Sequence, residues 1–155
     1  VILETVMPKT IGENLIVYTD GGSRGNPGPA AIGVYITDHL GHPVKSYAET
    51  IGVKTNNEAE YTAIIFALKK LKALVGKERT KEMKVNIRTD SELLVRQLNH
   101  HYKVENKRII QLFIEVWNLM IDFGSVTFTH VMRERNRAAD KLVNQALNKE
   151  SKPLF

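Results

Sequence analysis

The stretch that decides the fold is residues 18–29, which read YTDGGSRGNPGP. The apolar run from Asn14 ends at Asp20, and the glycine, asparagine and proline residues that follow are typical of a loop. This order of residues predicts a strand, a carboxylate at its end and a glycine-rich loop after it. Asp20 is therefore the first candidate functional residue.

Three further acids lie where a predicted element begins or ends. Glu58 starts an amphipathic stretch after TNN, Asp90 ends a second apolar run, and Asp140 opens the last helical pattern. Carboxylates at strand ends and in first helical turns point into common space above a sheet, where they repel one another unless divalent cations lie between them. Together with Asp20, these acids predict metal-assisted phosphoryl chemistry.

The composition limits the class of protein. The 155 residues suffice for one domain with a real core, and 22 Lys+Arg against 17 Asp+Glu give a net charge of +5. A basic surface around an acidic pocket suits a polyanionic substrate. The absence of cysteine excludes disulfides and thiolate-bound zinc. Since no signal peptide or membrane-spanning run is recognised, we expect a cytoplasmic protein without membrane contacts.

Hydrophobic periodicity predicts an α/β domain in which helices cover a mixed sheet, because three strands come first and helices and strands then alternate. We take Asn57 as the N-cap of the first helix, with Glu60 as its capping-box partner, and Asn136 as the N-cap of the last helix. The domain is expected at residues 14–149, after an N-terminal extension (1–13) and before a C-terminal tail (150–155). The predicted strands are 14–20, 30–38, 44–53, 83–89 and 125–131, and the predicted helices are 57–75, 91–99, 106–123 and 137–147.

Four motifs follow one another along the chain: TDGGS with GNPGP from Thr19, TNNEAEY from Thr55, TDS from Thr89 and NRAAD from Asn136. Each presents an acid, and together they resemble the ribonucleases H of the type 1 class over roughly Leu15–Leu147. The resemblance implies a ribonuclease H-like fold, with a five-stranded mixed sheet whose first three strands are antiparallel. It also implies an endonuclease that hydrolyses the RNA strand of RNA–DNA hybrids and leaves 5′-phosphate and 3′-hydroxyl ends.

The same resemblance implies roles for individual residues. Two Mg²⁺ or Mn²⁺ ions would be ligated by the acids, and a histidine ten residues before the last acid would assist proton transfer or product release, since the pKa of imidazole lies near neutrality. Glu60 is assigned to the helix cap and not to metal. The implied metal ligands are Asp20, Glu58, Asp90 and Asp140, and the further catalytic residue is His130.

Substrate contacts are expected in the wide, shallow minor groove of a hybrid, where one strand displays 2′-hydroxyls. The resemblance implies that short amide side chains line this groove and that a threonine holds a phosphate of the DNA strand. Many members carry an arginine two residues before that threonine; this chain has Val53 there, and Lys54 is the candidate replacement. Capping is an alternative role for Asn57, and turn formation before Pro27 is an alternative for Asn26. The candidate substrate-binding residues are Asn26, Lys54, Thr55, Asn56, Asn57 and Asn136.

The spacing leaves no room for the basic handle helix that some members carry, because only forty residues separate Asp90 from His130. Binding is then expected to rely on other basic residues, among them Lys103 and Arg108. Three other readings stay open: a 3′–5′ exonuclease of related fold, a non-catalytic hybrid-binding module and a fragment of a reverse transcriptase. The single acid at the first strand end argues against the exonuclease, and the presence of all four acids argues against the binding module. We expect a monomer that binds a hybrid duplex.

Overall fold

The computed structural model describes residues 13–151 of the chain. Residues 1–12 of the predicted extension and residues 152–155 of the predicted tail lie outside this described part. Residues 150 and 151 belong to the last helix, so the predicted tail begins inside that helix. The described residues form a five-stranded sheet with helices, which confirms the predicted α/β class.

The sheet is mixed. The strands are β1 (Asn14–Ser23), β2 (Gly28–Asp38), β3 (Pro43–Lys54), β4 (Lys84–Thr89) and β5 (Ser125–His130), in the spatial order β3-β2-β1-β4-β5. The first three pair antiparallel, as predicted, and β4 runs parallel to both β1 and β5. β1 and β2 extend into the predicted loop, because their pairing continues as far as Ser23 opposite Ala30.

The helices are α1 (Asn56–Val75), α2 (Lys77–Thr80), α3 (Glu92–Leu98), α4 (Lys107–Met120) and α5 (Arg137–Ser151), with one 3₁₀ turn at Arg133–Arg135. α2 and the 3₁₀ turn were not predicted, because elements of four and three residues are too short to show a period. Within the described residues no helix separates α3 from α4, in agreement with the predicted lack of a handle. None of the helices described is both long enough and apolar enough to cross a membrane.

The cap of α1 lies two residues earlier than predicted. Thr55 has an extended backbone, and its hydroxyl accepts a hydrogen bond from the backbone N of Glu58 at 3.2 Å. In return, Glu58 Oε1 accepts one from the backbone N of Thr55 at 3.0 Å, which completes a capping box. The prediction of Asn57 as the N-cap, with Glu60 as its partner, was therefore wrong, because Asn57 already lies inside the helix.

The main core lies between one face of the sheet and α1, with α3 and α4 packed beside α1. Alternate residues of β1, β2 and β4 point into it, as expected for strands covered by a helix. Tyr61 of α1 is fully buried there, and its hydroxyl donates to Gln97 Oε1 at 2.8 Å. On the opposite face α5 buries a smaller cluster formed by Ala31, Val143, Ala146 and Leu147.

Two glycines allow helices to approach the strands closely. A Cβ at Gly21 would lie 2.3 Å from the backbone of Ala59 in α1, and a Cβ at Gly33 would lie 2.2 Å from the carbonyl oxygen of Ala139 in α5. Only glycine leaves space for such contacts with backbone atoms. Gly33 lies opposite Asp20 in the register of β1 and β2. The first turns of α1 and α5 are therefore brought against the part of β1 that carries Asp20.

Candidate active site

Four acidic side chains line one cleft near the carboxyl ends of β1 and β4. Asp20 belongs to β1, Asp90 directly follows β4, Glu60 lies near the start of α1 and Asp140 lies in the first turn of α5. Because β1 and β4 are parallel neighbours, their carboxyl ends meet at the same edge of the sheet. The structure thus brings together three of the predicted acids, Asp20, Asp90 and Asp140, and adds Glu60.

Electrostatic repulsion is concentrated in this cleft. Burial, followed by the charges of Asp90, Asp140 and Glu60, raises the pKa of Asp20 to about 8. Burial and the charge of Asp90 also raise the pKa of Glu60, and a hydrogen bond with Ser91 opposes this effect. Carboxylates held this close favour a proton or a cation between them.

Glu58 lies outside this cleft. Its Oε1 serves the capping box, and its Oε2 pairs with Nη1 of Arg108 at 3.4 Å. The backbone hydrogen bond from Thr55 is the largest influence that lowers the pKa of Glu58, and the charges of Arg108 and Lys54 add to it. The assignment of Glu58 to the acid cluster was therefore wrong, because its carboxylate is held on another side of the helix. Glu60 takes its place in the cleft.

The donor set of the cleft fits a hard divalent cation. Mg²⁺ and Mn²⁺ prefer oxygen ligands such as carboxylates. The four acidic side chains of the cleft supply carboxylate oxygens. Burial, and after it the charges of neighbouring acids, raise the pKa values of Asp20 and Glu60, and a bound cation would offset both effects. Within residues 13–151, no group of three or more His, Asp or Glu side chains is arranged so that it could already hold a metal ion. The acids of the cleft are therefore candidate ligands for such a cation.

The histidine predicted to assist catalysis is not among the residues that line the cleft. His130 is exposed at the end of β5, where its backbone pairs with Thr89. Arg133 lines the cleft instead, with Nε 4.0 Å from Asp90 Oδ2 and an 85% exposed side chain. No local pattern in the sequence indicates this position, because Arg133 lies in a 3₁₀ turn of three residues that ends before α5 begins.

Two predicted substrate contacts, Asn26 and Asn56, connect the β1–β2 loop to the start of α1. Asn26 Oδ1 accepts a hydrogen bond from the backbone N of Asn56 at 2.9 Å, and Asn56 Oδ1 accepts one from the backbone N of Ser23 at 2.9 Å. Both asparagines are exposed, and Asn56 lines the acidic cleft. Asn57 is half-buried, and its Oδ1 has no partner among the described residues. The exposed amide groups of Asn26 and Asn56 thus lie at the rim of the cleft.

Asn136 connects two elements of the site and does not face a substrate. Its side chain is 1% exposed, and its Nδ2 donates to the carbonyl oxygen of Thr19 at 3.0 Å. Its own carbonyl oxygen accepts from the backbone N of Asp140 at 3.1 Å. Asn136 precedes α5, as predicted, but its side chain bonds to β1. The substrate-binding assignment was wrong, because this buried side chain positions Asp140 beside Asp20 instead.

A second, polar pocket lies beside the capping box and is lined by Lys54, Glu58, Thr62, Arg108, Gln111 and Leu112. Val53 is 66% exposed and does not line it. Arg108 comes from α4, and its side chain is 79% exposed. The pocket therefore carries two cations, Lys54 and Arg108, although position 53 is not arginine. Sequence reasoning named both residues but could not place them together, because they lie on separate elements.

The pKa of Asp20 predicts how stability changes with pH in metal-free solution. The folded pKa of about 8 lies above the value of 3.8 expected for the unfolded chain. The folded state therefore binds more protons between these values, and its stability falls as the pH rises from about 4 to about 8. We expect Asp20→Asn to remove this loss and to be more stable than the parent by about 1–3 kcal/mol at pH 8, with the gap closing near pH 4.

Urea denaturation at several pH values in chelator measures this difference. Glu58→Gln is the matched control, because the pKa of Glu58 is lowered by folding and its replacement should cost stability above pH 5. A parent protein and an Asp20→Asn variant with the same dependence on pH would contradict the expected cost of a charged carboxylate at this buried position beside other acids.

Comparisons with known proteins agree with this architecture. The chain matches the reverse transcriptase-like family over residues 18–146. LC11-RNase H1, isolated from compost by a metagenomic approach, is 42% identical, has a TM-score of 0.85 and aligns over 91% of this chain and 100% of its own. The same protein has been solved in complex with an RNA/DNA hybrid. Ribonuclease HI of Halobacterium salinarum is 36% identical over 137 residues, which is 88% of this chain and 66% of that protein.

A bifunctional protein of Mycobacterium tuberculosis is 35% identical over 136 residues, or 86% of this chain. The chain spans 66% of the length of the halobacterial relative and 35% of the mycobacterial one. The strand order and the acidic cleft define a domain of the ribonuclease H-like class. Given the family match and the full-length likeness to LC11-RNase H1, the chain belongs to the ribonuclease H family, type 1 class, in a form without the basic handle.

Proposed function

We propose that this chain is a hydrolase that cuts the RNA strand of RNA–DNA hybrids internally and leaves 5′-phosphate and 3′-hydroxyl ends. The observation that carries the proposal is the cleft in which Asp20, Glu60, Asp90 and Asp140 meet. The family membership and the hybrid complex of LC11-RNase H1 support the choice of substrate. A cytoplasmic location and a monomeric state remain predictions from the sequence.

We assign Asp20, Glu60, Asp90 and Asp140 as the residues that would hold two Mg²⁺ or Mn²⁺ ions. When bound, such ions would supply Lewis acidity and neutralise negative charge during displacement at phosphorus. The chain's own contribution is to fix the ligands. Asn136 connects the start of α5, which carries Asp140, to β1 through its hydrogen bond to Thr19. Gly33 lets α5 pack closely against β2, the strand that pairs with β1. Asp20 is therefore held on a strand and Asp140 on a helix fixed against that strand's neighbour, which favours a defined geometry of the acids.

Arg133 lies in the cleft where His130 was expected from the sequence, and we assign it a different role. Its guanidinium lies at the edge of the cleft beside Asp90, and its exposed side chain is free to turn toward a phosphate. A guanidinium pairs with phosphate oxygens through two parallel hydrogen bonds, which places a phosphate more precisely than a point charge does. Because arginine stays protonated at neutral pH, Arg133 would contribute charge and orientation and would not transfer a proton.

Recognition of ribose is assigned to the rim of the cleft. The exposed side chains of Asn26 and Asn56 are fixed through their carbonyl oxygens, so their amide groups can donate to a 2′-hydroxyl. Such contacts read the sugar and not the base, which fits cleavage with little sequence preference.

The second pocket is assigned to a phosphate of the DNA strand. Lys54 and Arg108 supply its positive charge, and the first turn of α1 adds the positive end of a helix dipole. A hybrid held at this pocket and at the acidic cleft is positioned by backbone contacts at two points. This pair of contacts would set the register of the duplex without a handle helix.

The proposed phosphate contact predicts the effect of Arg108→Gln. We expect KM for the hybrid to rise about 3- to 10-fold at low salt with kcat nearly unchanged, and the slope of log affinity against log salt to fall by about 1. Steady-state kinetics over a range of salt concentrations measures both. Lys69→Gln is the control, because it removes the same charge from a lysine that pairs with Glu115. Equal effects of the two substitutions would contradict a specific contact at Arg108.

The proposed activity is tested on three duplexes of one sequence: RNA–DNA hybrid, DNA–DNA and RNA–RNA, each labelled on one strand at a time. We expect cuts in the RNA strand of the hybrid with Mg²⁺ or Mn²⁺, none in excess chelator and none in the DNA strand. Products that end in 5′-phosphate and arise inside the strand support the endonuclease. Cutting that proceeds stepwise from a DNA end would favour the exonuclease, and tight hybrid binding without cutting would favour the binding module.

A further inference from the structure

The face of the sheet beyond the acidic cleft carries an ordered row of side chains. Tyr35 of β2, Tyr18 of β1, Arg88 of β4 and Thr129 of β5 lie side by side in the strand register. α5 packs against β1, β2 and β3 on this side of the sheet, and the row stays partly exposed. With neighbouring strands about 4.8 Å apart, the row is roughly 14 Å long.

Arg88 is fixed in this row by its neighbours. Its Nε donates to Asn86 Oδ1 at 2.9 Å, its Nη1 donates to the Tyr18 hydroxyl at 3.2 Å, and its guanidinium lies 5.7 Å from the centre of the Tyr18 ring. Asn86 is itself held by Thr127 and Thr129, each at 2.9 Å from its Nδ2. These partners of Arg88 are neutral, so none of them offsets its positive charge, and the residue stays partly exposed.

The row is continuous with the cleft. Tyr18 precedes Asp20 by two residues in β1, so these side chains share one face of the sheet and lie about 7 Å apart along it, and Arg88 lies near the end of β4, two residues before Asp90. The 3₁₀ turn connects the two places as well. Arg133 lines the acidic cleft, while Arg135 of the same turn lines a hollow with Tyr18 and Tyr35.

We propose that this face binds a single-stranded stretch of nucleic acid that continues from the duplex in the cleft. Aromatic rings offer stacking surfaces to any base, and fixed guanidinium groups pair with phosphates, which together are the usual means of holding a single strand. Among the described residues no carboxylate lines the hollow, so no negative charge in its lining would repel a polyanion. The length of the row suits two or three nucleotides. The proposal rests on hybrid binding at the cleft, as proposed above.

The test compares a blunt hybrid of about 12 base pairs with the same hybrid extended by about six unpaired ribonucleotides at either the 3′ or the 5′ end. Fluorescence anisotropy in chelator measures binding without cleavage. We expect one of the extensions to lower Kd about 5-fold, within the range that stacking of one or two bases supplies. Cleavage of the blunt hybrid with Mg²⁺, measured in parallel, reports on the proposed function alone.

Two pairs of variants locate the effect. The gain is the factor by which the extension lowers Kd. Arg135→Gln should reduce this factor by at least half, whereas Lys77→Gln, which removes an equal charge from α2, should leave it unchanged. Tyr35→Leu should lose the gain and Tyr35→Phe should retain it, because the ring and not the hydroxyl is needed. All four should cut blunt hybrid like the parent. Equal Kd for blunt and extended hybrids, or an undiminished gain in Arg135→Gln, would overturn the proposal even if blunt hybrid is cut normally.

Discussion

Replacing Glu60 by glutamine is expected to lower the rate of hybrid cleavage about 100-fold or more, while the protein stays folded. Glu60 is one of the acids of the cleft, and burial together with the nearby charge of Asp90 raises its pKa. Loss of an outer contact to a metal ligand already costs about 10- to 100-fold, so loss of a ligand should cost at least as much. Single-turnover cleavage of a labelled hybrid at saturating enzyme and Mg²⁺ measures the chemical step.

Glu58→Gln is the matched control for this prediction. The same substitution two residues away keeps an oxygen that can accept the hydrogen bond from Thr55, and it removes only the partner of an exposed Arg108. The rate of cleavage should therefore stay within about 3-fold of the parent, and the free energy of unfolding within about 1 kcal/mol. A large loss in Glu58→Gln with a normal rate in Glu60→Gln would restore the assignment made from the sequence and contradict the structure.

Gly33→Ala is expected to impair both stability and activity, although the residue touches no substrate. The added methyl group would lie 2.2 Å from the carbonyl oxygen of Ala139 and 2.9 Å from Cβ of Leu142. Because both atoms belong to α5, the helix must move away from β2 and take Asp140 with it. We expect a loss of about 1–3 kcal/mol in the free energy of unfolding and a reduced kcat.

Gly22→Ala is the comparison for stability. Its methyl group would lie 3.7 Å from Cγ1 of Val143, an ordinary van der Waals contact with the same helix. Urea denaturation should place this variant within about 0.5 kcal/mol of the parent. A Gly33→Ala variant as stable as Gly22→Ala and as active as the parent would contradict this account. It would show that the close contact of α5 with Gly33 does not position Asp140.

Much of the fold could be predicted from local patterns. Period-two alternation in β2, the apolar runs that end at Asp20 and Asp90, and the stop of α1 at Gly76 are each written in a few consecutive residues. The order of elements then leaves few topologies, and a mixed sheet with three antiparallel strands was the outcome. Asp20 and Asp90, which end these apolar runs, both line the cleft as predicted, although β1 continues to Ser23 and His130 at the end of β5 does not reach the cleft.

The choice between Glu58 and Glu60 failed because it depends on the phase of a helix. The side chains of residues two apart on a helix differ in direction by about 200°. An error of two residues in the position of the cap therefore exchanges the predicted directions of Glu58 and Glu60. The sequence TNNE contains a capping box formed by Thr55 and Glu58. Because the N-cap was predicted at Asn57, Glu60 was assigned to the cap and Glu58 to the metal site, the reverse of what the structure shows. A helix cap should therefore be settled before a functional role is given to any acid in its first turns.

The remaining misses concern contacts between distant parts of the chain. Arg133 reaches the cleft through a 3₁₀ turn too short to show a period, and Asn136 is buried because α5 lies against β1. Arg108 joins Lys54 in one pocket only after α4 packs against α1. Nothing in the spacing of these residues reports such packing, so only the three-dimensional arrangement could reveal their positions.

Recognition of ribose at the cleft is tested most directly by a duplex in which one strand is DNA except for about four central ribonucleotides and the other strand is all DNA. Under single-turnover conditions with Mg²⁺, cuts should be confined to the ribonucleotide stretch, and an all-DNA duplex of the same sequence should stay intact. The DNA and ribonucleotide parts offer the same phosphates and bases, so only the 2′-hydroxyls can direct this choice. Cuts spread evenly through both parts, at rates matched by the all-DNA duplex, would show that the site does not read ribose and would contradict the proposed function.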